Sequence, residues 1–576
     1  MKFTVTSRTT NATYSFECFT RNQRFQSWVA SSSTKIMTSE SSTPEEASGP
    51  TKVAFKRSVS EIASDESSGK LPAPGWLSWF EKPFLIKAPT SGKYLPEVTA
   101  SAMDAAARGP INMTRTFIGA SILRLALADA GCKNPSTCHV KLHGLKPSSL
   151  LTTATAIVGV VAALTMPIVG AVVDHTKYRK IVGATTAFLL VCVVGGEVAI
   201  NENNWFVMLC LEAIGSYVII MHITSVFAYL PDLSYYESDY ITYTTGFNFR
   251  QFGSQLLLAS LVVTVGIARP APNAVVGAVR TGRVSASISL VLVASLLGYA
   301  WTFLFRKRPA LAVIPPGQNL LTVGFIRLKR TIVKINSNYG ALRWFMISLL
   351  FSPDANGGVI FSITTTFLTV FLHMTSQQVA IVSLIMLAFN TLGSFVSRRL
   401  CRLINPLNAY RFALCAFIFV TAISATILTG PERKNWAYGI AAIWGTNLGT
   451  MYPSQRVLYC TLIPRKQEME FMGLFAFCGN ILSWLPPLLF TSLNERGVSM
   501  QWGLAVIPFF LSCSLFWTLV IGNYDVAVSQ VAGEGQVGID AENGAVDSQA
   551  VEVEAAVQST TSPDANSISE GDAGNV

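Results

Sequence analysis

Asp104, Arg108, Asn112 and Arg115 step by four, four and three residues through a stretch of otherwise small and apolar side chains. At 3.6 residues per turn this spacing places them along one helical face. A polar stripe on an apolar helix must face water or protein, because an intramembrane charge costs several kcal/mol without a partner. Two roles fit. Arg108 or Arg115 can meet a solute carboxylate through a bidentate contact, or the stripe is a polar turn ahead of the membrane. Glu212 and His222 lie in a second apolar run. An intramembrane carboxylate needs a function or a partner. A histidine that titrates at about 6.5 suits proton exchange, and equally suits a packed hydrogen-bonding role. Asp354 and Asn356 follow Pro353 and precede two glycines. Proline and glycine leave helix carbonyls free for a ligand, so Asp354 is the strongest single candidate for ion or substrate contact. Its structural alternative is a pair with Arg250 or Arg456. Ser454 and Arg456 close another run beside Pro453, where Arg456 can line a gate or snorkel to the interface.

The elements that must position these residues follow from composition. The chain has 576 residues, half of them hydrophobic and 13% charged, with a mean hydropathy of +0.42. Soluble proteins carry about one quarter charged residues. The apolar residues come in long blocks, and a membrane-crossing helix needs about 20 of them. This excludes a soluble enzyme. Outer-membrane barrels, which read as short alternating segments, are excluded too. The expected class is an all-α polytopic membrane protein.

Twelve spans are predicted, near 104–130, 148–173, 181–200, 205–230, 247–268, 285–305, 342–372, 376–397, 409–430, 435–456, 470–493 and 501–522. The 31-residue seventh is too long to be straight and perpendicular, so a tilt or break is expected. The first carries so much charge that an interfacial segment, and hence eleven spans, is the competing reading. Five regions result: a mostly disordered tail (1–99), a six-helix bundle (100–305), a loop-like basic connection (306–341), a second six-helix bundle (342–522) and an acidic disordered tail (523–576). In the first tail, GWLSWFEKPFLIK is either a helix lying on the membrane surface or a linker.

With the N-terminus inside, the inner loops hold 15 Lys and Arg and the outer loops nine. The bias places both tails in the cytosol. Basic residues scattered between apolar runs argue against nucleic-acid binding. The ten cysteines include no CxxC pair, and no zinc spacing occurs, so neither a metal nor a cofactor is expected. Cys192, Cys210, Cys415, Cys460, Cys478 and Cys513 lie in or beside apolar runs and are expected to be packing residues. Cys132 and Cys138 share the first outer loop, as a disulfide or as free thiols. No Walker loop, GxSxG or HExxH occurs.

Three segments carry a family resemblance. GAVVDHTKYRK, Gly170 to Lys180, resembles the G-x-x-x-D-x-x-x-R-K loop of the major facilitator superfamily. In that reading Gly170 lets helices approach closely, Asp174 caps or pairs across the bundle, and Arg179 and Lys180 hold the cytosolic side. From Gly445 to Phe490, Ser454, Arg456, Leu462 to Pro464, Glu468, Glu470, Phe471, Gly473, Leu474, Ser483, Trp484 and Pro487 to Phe490 match the autophagy-related vacuolar amino-acid effluxer family, a branch of that superfamily. Departures are Tyr452-Pro453, Met472 and Phe475. DAAARGP, Asp104 to Pro110, is similar to the family's first-span opening. The family's seventh-span Asp-Gly pair is interrupted here, as Asp354-Ala355-Asn356-Gly357.

The resemblance implies a major-facilitator-type fold of two six-helix bundles, with spans 1, 4, 7 and 10 lining a cavity. It implies a carrier in a vacuolar or lysosomal membrane, the plasma membrane being the alternative, that moves amino acids to the cytosol by alternating access with or without protons. The partners would be the bilayer and a small solute; the oligomeric state is open. Two other functions remain compatible: a cation-coupled symporter of sugars or other solutes, and a non-transporting receptor or lipid scramblase.

Overall fold

Apolar side chains at helical spacing, with few breakers inside each run, leave the backbone no partner but itself in hydrocarbon, and the runs fold as helices. The computed structural model describes residues 78–529, apart from 133–137, 139, 231–232, 234–236, 309–318, 353–357 and 464–467. The expected tails before 78 and after 529 lie outside the described residues.

The helices are α1 (Ser78–Glu81), α2 (Pro96–Asp129), α3 (Leu150–His175), α4 (Arg179–Glu197), α5 (Trp205–Phe227), α6 (Glu237–Ala268) and α7 (Ala274–Tyr299). They continue with α8 (Leu320–Asn338), α9 (Gly340–Phe351), α10 (Gly358–Thr366), α11 (Ser376–Ile404), α12 (Pro406–Ile427), α13 (Trp436–Leu462), α14 (Glu468–Ile481), α15 (Leu485–Glu495), α16 (Met500–Leu504) and α17 (Val506–Val520). The described residues form no named strand. Eight helical stretches among the described residues are long and apolar enough to cross a membrane, the last of them α16 and α17 together. α2 and α13, which match the first and tenth spans, are not among them: both are long enough, but they carry too many polar residues.

α2 packs most extensively on α7 and α6, α4 on α5 and α7, and α3 on α5. Among the later helices, α13 packs on α11 and α12, and α17 on α9 and α12. At 34 residues α2 is about 51 Å long, well beyond the ~30 Å of hydrocarbon it would cross. It runs unbroken and buried through the charged stripe, so the stripe belongs to a helix inside the protein rather than to a pre-membrane turn.

Several boundaries differ from expectation. The basic connection is not all loop, because α8 is a 19-residue amphipathic helix. Gly324 on α8 sits so close to the Pro167 carbonyl of α3 that an added Cβ would collide with it. α6 and α7 each start about ten residues early, so Arg280 and Arg283, expected in an outer loop, are helical. Asn273 caps α7 by accepting from the Val276 amide. Arg398, Arg399 and Arg402 likewise sit on α11. The seventh span breaks as expected: the backbone leaves the helix at Ser352, with ψ 77°. The eleventh also breaks, between Ile481 and Leu485, where Pro486 and Pro487 can only start a helix.

From Ser78 onward, the GWLSWFEKPFLIK segment lies on protein. Phe80 meets the Tyr299 ring edge-on at 5.5 Å, Tyr299 donates to Glu81 at 2.6 Å, and Arg250 donates to the Pro83 and Leu85 carbonyls. Of the six cysteines in or beside the apolar runs, Cys192, Cys210, Cys415 and Cys460 are exposed on outer helix faces, Cys478 is buried and Cys513 is half-buried. Cys132 and Cys138 form a disulfide.

Candidate functional site

The charged stripe of α2 divides into two clusters, centred eleven residues or roughly 16 Å apart along the axis. The first centres on Asp104, which is fully buried. Its Oδ2 accepts from His222 Nε2 at 2.7 Å and from the Trp301 indole at 3.2 Å. Its Oδ1 lies 3.0 Å from Arg108 Nε, out of line for a hydrogen bond, so this is an ion contact. The Arg108 guanidinium faces the Phe227 ring at 6.0 Å.

Local sequence explains the placement. Trp301 reaches Asp104 because Gly183 on α4 leaves room for its indole, which any Cβ there would strike. Pro110, inside α2, removes one helix hydrogen bond just after Arg108. Gly109 lets α6 approach so closely that a Cβ would strike the Gln251 carbonyl. His222 Nδ1 meets the Thr186 hydroxyl at 2.9 Å. A hydroxyl can donate or accept.

The second cluster centres on Arg115. Its Nε donates to Glu212 Oε1 at 2.8 Å and its Nη2 donates to Ser216. Glu197, at the end of α4, is buried against this pair. Asn112, between the clusters, is half-buried. Glu197, Ser216, Thr186 and Trp301 were not anticipated from sequence. Glu197 obeys the rule that singled out Glu212, a carboxylate inside an apolar run.

The other expected site residues do not join these clusters. Asp354 and Asn356 lie outside the described residues. Ser454 is buried in the seam between α13 and α11, bonded to Ser397 at 2.8 Å and donating to the Thr450 carbonyl, while Arg456 is exposed. In the Gly170 to Lys180 loop, a Cβ on Gly170 would meet nothing within 4 Å, so this glycine does not bring helices together. The Asp174 side chain is not described. Arg179 begins α4 fully buried and donates to the Ala228 carbonyl at 3.1 Å. Lys180 is half-buried. No group of three metal-ligating side chains occurs among the described residues.

At the end of the molecule that bears Asp129 and Trp205, the earlier and later helices are stitched together. Lys146 donates to the Asn494 carbonyl at 2.6 Å, Asn494 donates to Ser148 and Ser149, and Thr152 meets Thr491 at 2.7 Å. Arg124 donates to the Met374 carbonyl. Each such bond contributes about 1 kcal/mol, which shifts a two-state equilibrium about fivefold. Asn494→Ala, which removes two of them, should therefore raise the labelling rate of a Thr152→Cys probe by an impermeant thiol reagent about thirtyfold. An unchanged rate would mean that these bonds do not hold the end closed.

A sequence model described as vacuole effluxer Atg22-like matches residues 102–243 and 243–525. The autophagy-related protein 22 of Chaetomium globosum is 26% identical over 240 residues, 38% of this chain and 32% of that protein. Its counterpart in Gibberella zeae is 26% identical over 189 residues, 30% of this chain and 28% of that protein. These alignments span about a third of the length of those relatives. Among solved structures, the inward-open xylose transporter XylE from E. coli is 12% identical and covers 73% of this chain and 95% of its own, with a TM-score of 0.50. A nucleoside transporter, NupG, is 14% identical, covers 73% of this chain and 100% of its own, and has a TM-score of 0.49. The likeness to the xylose transporter is one of fold alone.

Proposed function

From the premise that this chain belongs to the vacuole effluxer Atg22-like family, and so is a multi-pass membrane transporter rather than an enzyme, we propose that it carries amino acids to the cytosol. Twelve spans in two bundles would alternate access around the α2 clusters, with both tails cytosolic and the end bearing Asp129 and Trp205 facing a vacuolar or lysosomal lumen. The stitched lumenal end supports a form whose central site is reached from the cytosol.

One observation carries the substrate class. Arg108 is 6% exposed, and Asp104 is its one polar partner among the described residues. That leaves a buried fork of donors beside a carboxylate, chemistry that complements the carboxylate and ammonium of an amino acid.

Counterflow of labelled amino acids in proteoliposomes tests this. Arg108→Gln should weaken binding about 10- to 100-fold, the equivalent of 1.5–3 kcal/mol for hydrogen bonds to a charged group. Counterflow of sugars but not amino acids would overturn the reading.

A further inference from the structure

Glu197 and Glu212 approach from neighbouring helices, α4 and α5, and are 1% and 5% exposed. Gly196 packs so tightly on Leu211 that an added Cβ would strike it, which brings Glu197 and Glu212 side by side, with Arg115 bonded to Glu212 at 2.8 Å. An ionised carboxylate only accepts hydrogen bonds, so two of them can bond to each other only with a proton on one. The charge count agrees. Two carboxylates against one guanidinium would leave a net negative charge in a buried place, and like charges in contact do not both ionise. The Oε2 atoms of both residues are buried without a hydrogen-bond partner among the described residues, so each has room for a proton.

Among the described residues, the other cations of the surrounding helices have partners elsewhere. α3 carries no charge at this level, its only titratable side chains being Asp174 and His175 at the far end. On α7, Arg283 donates to the Ile200 carbonyl and Arg280 to the Arg269 carbonyl. On α2, Arg108 faces Asp104, Arg124 donates to Met374, and Asp129 accepts from Trp205. On α5, Cys210 is exposed on the outer face, Tyr217 donates to Thr165, and His222 is held by Asp104 and Thr186. Beyond the end of α4, Glu202 is exposed.

We propose that Glu197 and Glu212 form a carboxyl pair that binds one exchangeable proton per transport cycle, with Arg115 as its counter-charge. With the proton bound, the three groups are neutral together. Release breaks one carboxyl O–H bond and passes the proton to water. The two carboxylates then repel, and Arg115 can leave Ser216 to bridge both. Glu197 ends α4 and Glu212 lies two turns inside Trp205, so the pair exchanges protons with the compartment on that side. The pair requires only that the protein is a carrier; it does not depend on the amino-acid assignment.

Infrared difference spectra of the full-length protein in lipid nanodiscs, with no solute, test it directly. The carbonyl band of a protonated carboxyl should vanish as pH is raised. It should be absent in both Glu197→Gln and Glu212→Gln, since either change dissolves the pair. In vesicles, Glu197→Gln should lose the stimulation of uptake by a pH gradient. A band that survives both substitutions would overturn the proposal. If one variant fails to fold, the other reads the same pair. A titrating band without amino-acid counterflow would keep the proton site and remove the substrate reading; counterflow without the band would do the reverse.

Discussion

Asp104→Ala should abolish transport and sharply lower the yield of folded protein. Asp104 is the shared acceptor for an imidazole and an indole, and the counter-ion of a guanidinium, all inside the helix bundle. Removing one member of a buried pair costs about 3–5 kcal/mol, because the remaining charge stays buried without compensation. Net stability is typically only about 5–15 kcal/mol. Survival of a monodisperse peak after heating, followed by size exclusion, measures the loss. Asp104→Asn separates charge from shape: it keeps one acceptor and the volume. It should recover much of the folded yield and none of the uptake. Normal uptake by Asp104→Asn would take this cluster out of the transport path.

The second large effect lies away from the charges. α11 and α13 meet through three glycines, Gly393 on one helix and Gly445 and Gly449 on the other. A Cβ on Gly445 would strike the Met386 carbonyl, one on Gly449 the Asn390 carbonyl, and one on Gly393 the Thr446 carbonyl. All three obstacles are backbone, so no side-chain rotation relieves them and the helices must separate. Gly445-x-x-x-Gly449 is the small-residue spacing that lets membrane helices approach closely. Overpacking a core costs about 1–3 kcal/mol even where side chains can adjust. Gly449→Leu should exceed that range and remove most monodisperse protein after detergent extraction. Gly170→Ala is the contrast. Its Cβ meets open space, and alanine is favoured over glycine inside a helix by about 1 kcal/mol, so folded yield should hold or rise. Equal yields of Gly449→Leu and the wild type would show that the seam can open.

Both predictions mark where reading the chain alone reached its limit. Hydropathy and helical period are local properties, and they sufficed for the all-helical class, for most membrane-crossing runs and, through the Gly445 to Phe490 match, for the family. They also singled out Asp104, Arg108, Arg115, Glu212 and His222, because a charge in an apolar run stands out wherever it occurs. Which of these groups meet is not local. Asp104 and His222 are 118 residues apart, and Arg115 and Glu212 are 97. Their pairing depends on how each helix is rotated about its axis and how closely its neighbours approach. Gly109 and Gly183 set that approach within the first cluster, and Gly393, Gly445 and Gly449 set it between α11 and α13. The same dependence explains two departures. Gly170 resembles a packing glycine in sequence but faces no neighbour, and Ser454 resembles a gate residue but is bonded within a seam. Glu197 completes the point. Its apolar surroundings were legible in the chain, but only the packing of α4 on α5 brings a second carboxyl to Glu212 under a single guanidinium.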